Sequence, residues 1–149
     1  MATKLIDILG KSLLFSGFSP EQMEQAMKHL QPKPVTLKDF EPLYKKGEPA
    51  NSCWLIQSGN LMVKRTSLRR PYHGMVYKQG ATIGIQGLAD PGTRRAVTMI
   101  ADGKVKLVEI TYEGISRLEK DTQILLWENI SRLLLRKLFI CLSQHSFDD

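Results

Sequence analysis

The residue types best suited to chemistry are concentrated in the third quarter of the chain. There Gly84, Gly87 and Gly92 precede the adjacent pair Arg94 and Arg95. An arginine fork can pair with two phosphate oxygens, and neighbouring backbone N–H groups can add hydrogen bonds. Glycine lets the backbone come close to a ligand. Residues of this kind could hold a phosphate or another anion.

The sequence contains no recognisable catalytic motif. It has neither a nucleophile elbow nor a Walker-type loop, and no carboxylates form an obvious pair. His73 could serve as a haem or metal ligand, but the histidines have no ligand spacing, and we interpret it as an exposed hairpin residue. Two cysteines are too few for an iron–sulfur cluster, which needs about four. We therefore expect neither enzyme activity nor a metal or cofactor.

The bulk properties indicate one ordinary globular domain. The chain has 149 residues, of which 42% are hydrophobic and 24% charged. No apolar run approaches the roughly 20 residues that span a bilayer. Cys53 and Cys141 lie far apart in apolar segments, which favours buried thiols in a reducing compartment, so we expect the cytoplasm. The net charge of +6 permits an anionic partner, although on charge alone a solvated basic surface is preferred.

Helical signals occupy the first part of the chain, at residues 3–31. Ser19 is a suitable N-cap, Pro20 fits the first helical position, and Gln22 can close a capping box. The apolar residues that follow fall on one helical face, at Met23, Ala26, Met27 and Leu30. The pattern predicts an amphipathic helix that packs on a core.

From residue 33 to residue 111 the pattern is that of β-structure. Short β-prone runs alternate with turn signals at Gly47, Ser58-Gly59, Gly80 and Asp102-Gly103. Many short strands at this spacing are typical of a barrel or a sandwich.

Helices return at residues 112–144, after a break expected at Lys120-Asp121. The longest helix, at residues 122–143, has too many apolar residues for one stripe, so we expect it to be buried on two sides. One set of apolar residues has coiled-coil-like spacing, at Trp127, Ile130, Leu134, Leu138 and Cys141. We expect this seam to join two copies of the chain in a homodimer.

Two motifs, in the right order and at the right separation, resemble the cyclic-nucleotide-binding domain family. The first has a Gly47-Glu48 turn, a strand with Trp54 and Ile56, and a Ser58-Gly59 turn. The second resembles the entry and exit of the family's phosphate-binding cassette, at residues 80–85 and 95–101. The resemblance covers residues 12–142. It implies a mainly β fold with flanking helices, a double-stranded β-helix or jelly-roll barrel with N-terminal helices and a long C-terminal helix.

The resemblance also implies a ligand site. Arg95 would pair with the phosphate and Ala96 would offer a backbone N–H; alanine at this position goes more with adenine than with guanine ligands. The alternative for Arg95 is a surface strand residue, and for Arg94 a solvated loop arginine is preferred. We expect a cyclic mono- or dinucleotide as ligand, held by Gly84, Ile85, Gln86, Gly87, Leu88, Arg94, Arg95, Ala96 and Thr98.

One cassette position departs from the family pattern. The family places a glutamate there, which accepts the ribose 2′-hydroxyl, whereas this chain has Ile85. A buried hydroxyl without its acceptor would cost roughly 1–3 kcal/mol, or about ten- to a hundred-fold in affinity. Ile85 either lines an apolar pocket for a different ligand or fills a pocket that no longer binds one. Gln86 and Asp90 are nearby polar residues that could substitute.

Two functional hypotheses follow. The first is a stand-alone sensor that binds an anionic nucleotide and transmits this event through its C-terminal helices. The second is a degenerate domain that serves as a scaffold for dimerisation or for an unidentified protein partner. Arg132, Arg136 and Lys137 either approach the ligand or form a solvated face. Since no room for a recognition helix follows the long helix, we expect no direct DNA binding.

Overall fold

The computed structural model describes residues 2–64 and 76–145, in which helices flank a sheet of six strands. The helices are α1 (Ala2–Gly10), α2 (Pro20–Leu30), α3 (Gln86–Ala89), α4 (Tyr112–Ser116) and α5 (Lys120–His145), with a 3-10 turn at Leu13–Phe15. The strands are β1 (Lys33–Leu37), β2 (Pro42–Tyr44), β3 (Ser52–Val63), β4 (Val76–Tyr77), β5 (Thr82–Ile83) and β6 (Met99–Thr111). His73 lies outside the described residues.

Strands β3 and β6 form the long antiparallel centre of the sheet. Their pairing runs from Ser52 opposite Thr111 to Val63 opposite Met99, and it is interrupted by irregular register around Ser58. Strands β1 and β2 pair with β6, while β4 and β5 pair with β3. Such irregularities bend a strand and increase its twist. The predicted class, mainly β with flanking helices and a long C-terminal helix, is confirmed, although the sheet stays open.

Two apolar cores lie on opposite faces of the sheet. Alternate residues of β3 point to opposite sides, as a strand requires, so Cys53 and Leu55 contact the helices while Trp54 and Ile56 face the interior of the folded sheet. The helical-side core also contains residues of α1, α2, α4 and α5. Ile83 at the end of β5 belongs to the interior core, whereas Ile85 and Leu88 after it belong to the helical-side core.

Helix α2 begins with the capping box that its sequence predicts. The Ser19 hydroxyl accepts a hydrogen bond from the Gln22 amide at 3.1 Å, and the Gln22 side-chain oxygen accepts one from the Ser19 amide at 2.9 Å. The helix ends at Gln31, whose φ of 47° is left-handed and stops the helical hydrogen bonding. Both ends are thus set by local residues.

Helix α5 begins earlier than expected. It starts at Lys120, inside the break expected at Lys120-Asp121, so Asp121 lies in its first turn. The side chain of Asn129 is buried and donates hydrogen bonds to the carbonyl oxygens of Leu14 at 2.9 Å and Ser16 at 2.8 Å. These bonds satisfy carbonyl groups of the 3-10 turn and fix α5 against it.

The predicted seam on α5 is wrong at Ile130. Ile130 is buried in the helical-side core of its own chain, and Trp127 and Leu134 pack partly against the same core. A helix with two apolar sides must bury one against its own fold, and these residues supply that side. The apolar residues of α5 that remain exposed are Ile124, Leu135, Leu138, Phe139, Ile140 and Leu142.

Candidate functional site

The cassette begins with a tight turn between β5 and α3. Gly84 has φ of 75°, which residues with a side chain rarely adopt. A Cβ there would lie 2.6 Å from Nη1 of Arg95 and 3.2 Å from the Trp54 ring. Both the backbone conformation and the space around it therefore require glycine.

Helix α3 then packs directly on the start of β3. A Cβ on Gly87 would lie 2.6 Å from the carbonyl oxygen and 2.9 Å from the amide nitrogen of Ser52. Since backbone atoms cannot give way as a flexible side chain can, the glycine is what allows this contact. The cassette backbone is consequently held close to β3.

Arg95 is buried under this turn, with 3% of its surface exposed. Its Nη1 donates to the carbonyl oxygen of Gly84 at 3.0 Å, and its Nη2 donates to that of Ser52 at 2.9 Å. The side chain thus ties the entry of the cassette to β3. Arg95 is not a surface strand residue, which excludes one of the two sequence alternatives.

Two aromatic rings complete the surroundings of the guanidinium. Its central carbon lies 4.5 Å from the ring centroid of Tyr44 and 5.0 Å from that of Trp54. The two rings are stacked, with centroids 5.7 Å apart and planes 28° apart. Cations over such ring faces are attracted by the ring quadrupole. We call the group formed by Tyr44, Ser52, Trp54 and Gly84 the Arg95 cage.

The charge of Arg95 has no carboxylate partner in the cage. Among residues 2–64 and 76–145, the only ion pair within 4.0 Å joins Arg117 to Glu113. Burial lowers the pKa of Arg95, and burial raises the pKa of the neighbouring Tyr44 hydroxyl to about 12. A guanidinium has five N–H donors, of which the cage carbonyls take two. Among the described residues, the site therefore holds a desolvated cation that uses two of its side-chain donors in hydrogen bonds.

Ile85 and Leu88 face away from the cage. Both have 0% exposure and belong to the helical-side core, which also contains Leu126 and Ile130 of α5. Of the two sequence alternatives for Ile85, filling apolar space is the one that the structure favours. Its side chain packs as a core residue and offers nothing to a hydroxyl.

The other predicted cassette residues are more accessible. Gln86 is half-buried at the start of α3, and Ala96 is exposed just after the cage. Arg94 is exposed, and its Nη1 donates to the carbonyl oxygen of Gly47 at 3.1 Å. Asp90 accepts a hydrogen bond from the Thr93 hydroxyl at 2.8 Å. Arg94 thus agrees with the preferred interpretation as a loop arginine.

Thr98 contacts a different part of the chain. Its hydroxyl oxygen accepts a hydrogen bond from the Lys46 amide at 2.9 Å, and its side chain lines an open groove beside β2. The structure therefore joins Gly84 and Arg95 in the cage but places Thr98 elsewhere.

Lys137 links α5 to the cassette. Its Nζ donates to the carbonyl oxygen of Thr82 at 2.9 Å, and burial of the ammonium lowers its pKa. Arg132 and Arg136 instead line a small cavity of about 50 Å³ beside the 3-10 turn. Of the three basic residues on α5 that the sequence left open, Lys137 is the one that approaches the cassette.

Sequence reasoning did not identify Tyr44 and Ser52 as parts of the site. Tyr44 is an aromatic residue in a short strand, a signal that is equally typical of any core position. Ser52 contributes a carbonyl oxygen, which every residue possesses, so its role has no side-chain signature. Only the tertiary structure brings them to Arg95.

Two further properties concern residues 2–64 and 76–145. No group of three or more His, Cys, Asp or Glu side chains there is arranged to hold a metal ion. None of the helices there has the length and apolar character needed to cross a bilayer.

Comparisons with known proteins place this geometry in a family. Residues 34–121 match the model of the cyclic nucleotide-binding domain. No curated protein matches the chain. The fold is similar to that of the catabolite activator protein of Thermus thermophilus, with a TM-score of 0.75 and 23% identity over 91% of this chain and 62% of that one.

Two other structures share the fold. The N-terminal domain of a transcriptional regulator from Streptomyces coelicolor has a TM-score of 0.73 and 23% identity over 91% of this chain and 95% of that one. The cAMP-bound regulatory domain of Toxoplasma gondii PKA has a TM-score of 0.69 and 18% identity over 88% and 50%. The chain thus spans less than two thirds of the Thermus and Toxoplasma chains. With its matching residues and its jelly-roll fold, the chain belongs to the cyclic nucleotide-binding domain family.

Proposed function

We propose that this chain is a sensor domain that binds an anionic nucleotide at its cassette. The observation that carries this proposal is the buried guanidinium of Arg95, which uses two of its side-chain donors in hydrogen bonds and has no carboxylate within 4.0 Å among the described residues. The carboxylates of Glu48 and Glu109 attract Arg95 only from beyond 4.0 Å, and a buried charge without a close partner is costly for a fold. A phosphate is a partner that would offset this cost and fit the arginine fork.

We propose a cyclic mono- or dinucleotide as the ligand, and cyclic AMP as the first one to test. The fold is shared with a PKA regulatory domain that contains cAMP, which supports this choice. Because the side chain of Ile85 is buried and cannot accept a hydrogen bond, the ribose 2′-hydroxyl would gain nothing from it. The proposed site recognises the phosphate and not the ribose.

The signal would pass from the cassette to α5. Lys137 bonds to Thr82 next to the cassette, and Ile85 shares a core with apolar residues of α5. A ligand that repositions α3 would therefore alter the packing of α5. It can shift this equilibrium only by as much as its affinities for the two arrangements differ.

We propose that α5 also joins two copies of the chain, through a corrected seam. Leu135, Leu138 and Leu142 are exposed and follow one another in the 3- and 4-residue steps of a coiled coil. Leu138→Glu should dissociate the dimer in light scattering. Ile140→Glu is the matched control, because Ile140 is equally exposed, at 55% against 54%, but lies off this stripe. If both variants, or neither, become monomeric, the seam is placed incorrectly.

Isothermal titration with cyclic AMP, cyclic GMP and cyclic di-GMP tests the ligand directly. At least one should bind the unmodified chain, and Arg95→Lys, which keeps the charge but loses the fork, should weaken that binding. Arg94→Lys is the control, because Arg94 is an exposed loop residue outside the cage. Absence of binding by all three ligands would contradict the proposal.

A scaffold without a ligand is the second candidate function. It is favoured by Ile85, which fills the core, and by Arg95, which is already bonded inside the cage. It predicts a stable dimer or a bound protein partner without nucleotide, and a melting temperature that nucleotides leave unchanged. A rise in melting temperature with cyclic nucleotide would exclude it.

We also propose that the domain is regulatory rather than catalytic, as its family suggests. The proposed location is the cytoplasm. The free thiol of Cys53, which is fully buried, agrees with a reducing compartment.

A further inference from the structure

A second candidate site is the groove that contains Thr98. The groove measures about 480 Å³, within the range of roughly 300–1,000 Å³ that is usual for small-molecule sites. We call it the lysine groove. Its lining residues are Phe40, Pro42, Lys45, Lys64, Thr98 and Ile100.

Two cations flank this groove. Lys45 and Lys64 are both exposed, and neither ammonium has a carboxylate within 4.0 Å in the part of the chain that the structure describes. Their backbones are fixed, since the Lys64 amide donates to the Thr98 carbonyl at 2.9 Å and the Lys45 amide donates to the Glu48 carboxylate at 3.2 Å. Within the described residues, the groove therefore presents two positive charges that lack a carboxylate partner, on a backbone that hydrogen bonds hold in place.

Phe40 places an aromatic ring at the same groove. Its side chain is 67% exposed, and its φ of 64° is left-handed, which is strained for a bulky residue. The backbone is held there by a hydrogen bond from the Phe40 amide to the Ala101 carbonyl at 2.9 Å, and by one from the Ala101 amide to the Glu41 carbonyl at 2.9 Å. An exposed ring held in this way is suited to stack on a flat ligand.

The remaining lining supplies one hydrogen-bond donor and an apolar surface. The Thr98 hydroxyl oxygen already accepts from the Lys46 amide, so its proton is left to donate. Pro42 and Ile100 add apolar surface to the lining. Proteins that bind single-stranded nucleic acid without sequence preference combine aromatic rings, on which bases stack, with cations that attract the phosphates.

We propose that the lysine groove binds a nucleoside monophosphate, with its base against Phe40 and its phosphate between Lys45 and Lys64. A residue of a single-stranded nucleic acid carries the same chemistry. This site is separate from the cassette and does not depend on the function proposed for Arg95.

Titration of the full chain with AMP, followed by NMR of the ligand, tests this site. Lys45→Gln combined with Lys64→Gln should weaken AMP binding about ten- to a hundred-fold, and so should Phe40→Asn. Asparagine tolerates a left-handed backbone, so this variant removes the ring without added strain. Lys33→Gln combined with Lys104→Gln is the charge-matched control, on exposed lysines outside the groove, and should leave binding unchanged.

The outcomes separate this site from the cassette. Binding that survives in Arg95→Lys but is lost in the groove variants supports the groove, whatever happens with cyclic nucleotides. Tighter binding of a short single-stranded oligonucleotide, lost in the same variants, would assign the groove to a strand. Absence of saturable AMP and oligonucleotide binding, equal weakening by the control, or loss only in Arg95→Lys would overturn the proposal.

Discussion

Replacing Arg95 by methionine should destabilise the fold much more than the same change at Arg94. Methionine retains an unbranched aliphatic chain, but it removes the charge and both cage hydrogen bonds. The Gly84 carbonyl keeps a donor in the Gly87 amide, at 3.1 Å, whereas the Ser52 carbonyl loses the bond from Arg95.

The size of the effect follows from these contacts. A charge-assisted hydrogen bond contributes about 1.5–3 kcal/mol. Cation–π contacts such as those with Tyr44 and Trp54 contribute about 0.5–2 kcal/mol. Removing a desolvated charge offsets part of the loss. We expect the free energy of unfolding to fall by about 2–4 kcal/mol, which lowers the melting temperature by roughly 4–16 °C.

Urea denaturation of the two variants measures this difference. Arg94→Met removes one exposed hydrogen bond to Gly47 and should cost about 0.5 kcal/mol or less. The two positions are adjacent in sequence, so the control matches the change in net charge and residue type. If Arg95→Met is as stable as Arg94→Met, the guanidinium does not hold the cage together and the structural account of Arg95 is wrong.

Two further predictions concern packing and pH. Gly87→Ala should lower the free energy of unfolding by about 1–3 kcal/mol in thermal melts, because its Cβ would press on the Ser52 backbone. Gly10→Ala is the control and should be tolerated, since its Cβ would lie 4.0 Å from the nearest neighbouring atom. Equal losses of stability in the two variants would contradict the packing of α3. Above about pH 8.5 the Cys53 thiol should contribute a loss of stability, because burial raises its pKa to about 12 and only the unfolded chain releases the proton. Its contribution is fully present below the unfolded pKa, so urea melts of Cys53→Ala should fall less steeply with pH than those of the unmodified chain. Lys137, whose pKa is lowered, adds stability as the pH rises, and it does so in both proteins. If the stability of the two proteins falls equally steeply with pH, the thiol is not buried.

The sequence predicts the fold well because the relevant signals are local. The capping box of Ser19 and Gln22 lies within four consecutive residues. The turns expected at Gly47 and Gly80 do fall between strands, whereas those expected at Ser58-Gly59 and Asp102-Gly103 are wrong, because both pairs lie inside the long strands β3 and β6. The motif around Trp54 identifies the strand that carries the cage. Such features depend on neighbouring residues and need no knowledge of tertiary contacts.

The direction of side chains in the cassette could not be predicted in the same way. Arg95 bonds to Ser52, 43 positions earlier in the chain, and stacks on Tyr44 from another strand. Ile85 packs towards α5 because of the turn at Gly84, which the sequence marks only as flexible. Whether an arginine faces a ligand or a cage is decided by such distant contacts.

Helix α5 illustrates the same limit. Its sequence has two apolar stripes, and spacing alone gives no reason to prefer one as the intermolecular side. Burial of Ile130 in its own core resolves the choice, and it leaves the stripe with Leu135 and Leu138 exposed. The number of apolar sides was predictable, while their assignment needed the packed structure.

Titration of cyclic AMP and its 2′-deoxy analogue into the unmodified chain compares the phosphate half of the cassette with the ribose half. We propose that Arg95 keeps the phosphate half of the site while Ile85 has removed the ribose half. We expect both ligands to bind, with dissociation constants that agree within about twofold. Absence of binding by either ligand, or a preference of about tenfold or more for the ligand with the 2′-hydroxyl, would contradict this proposal.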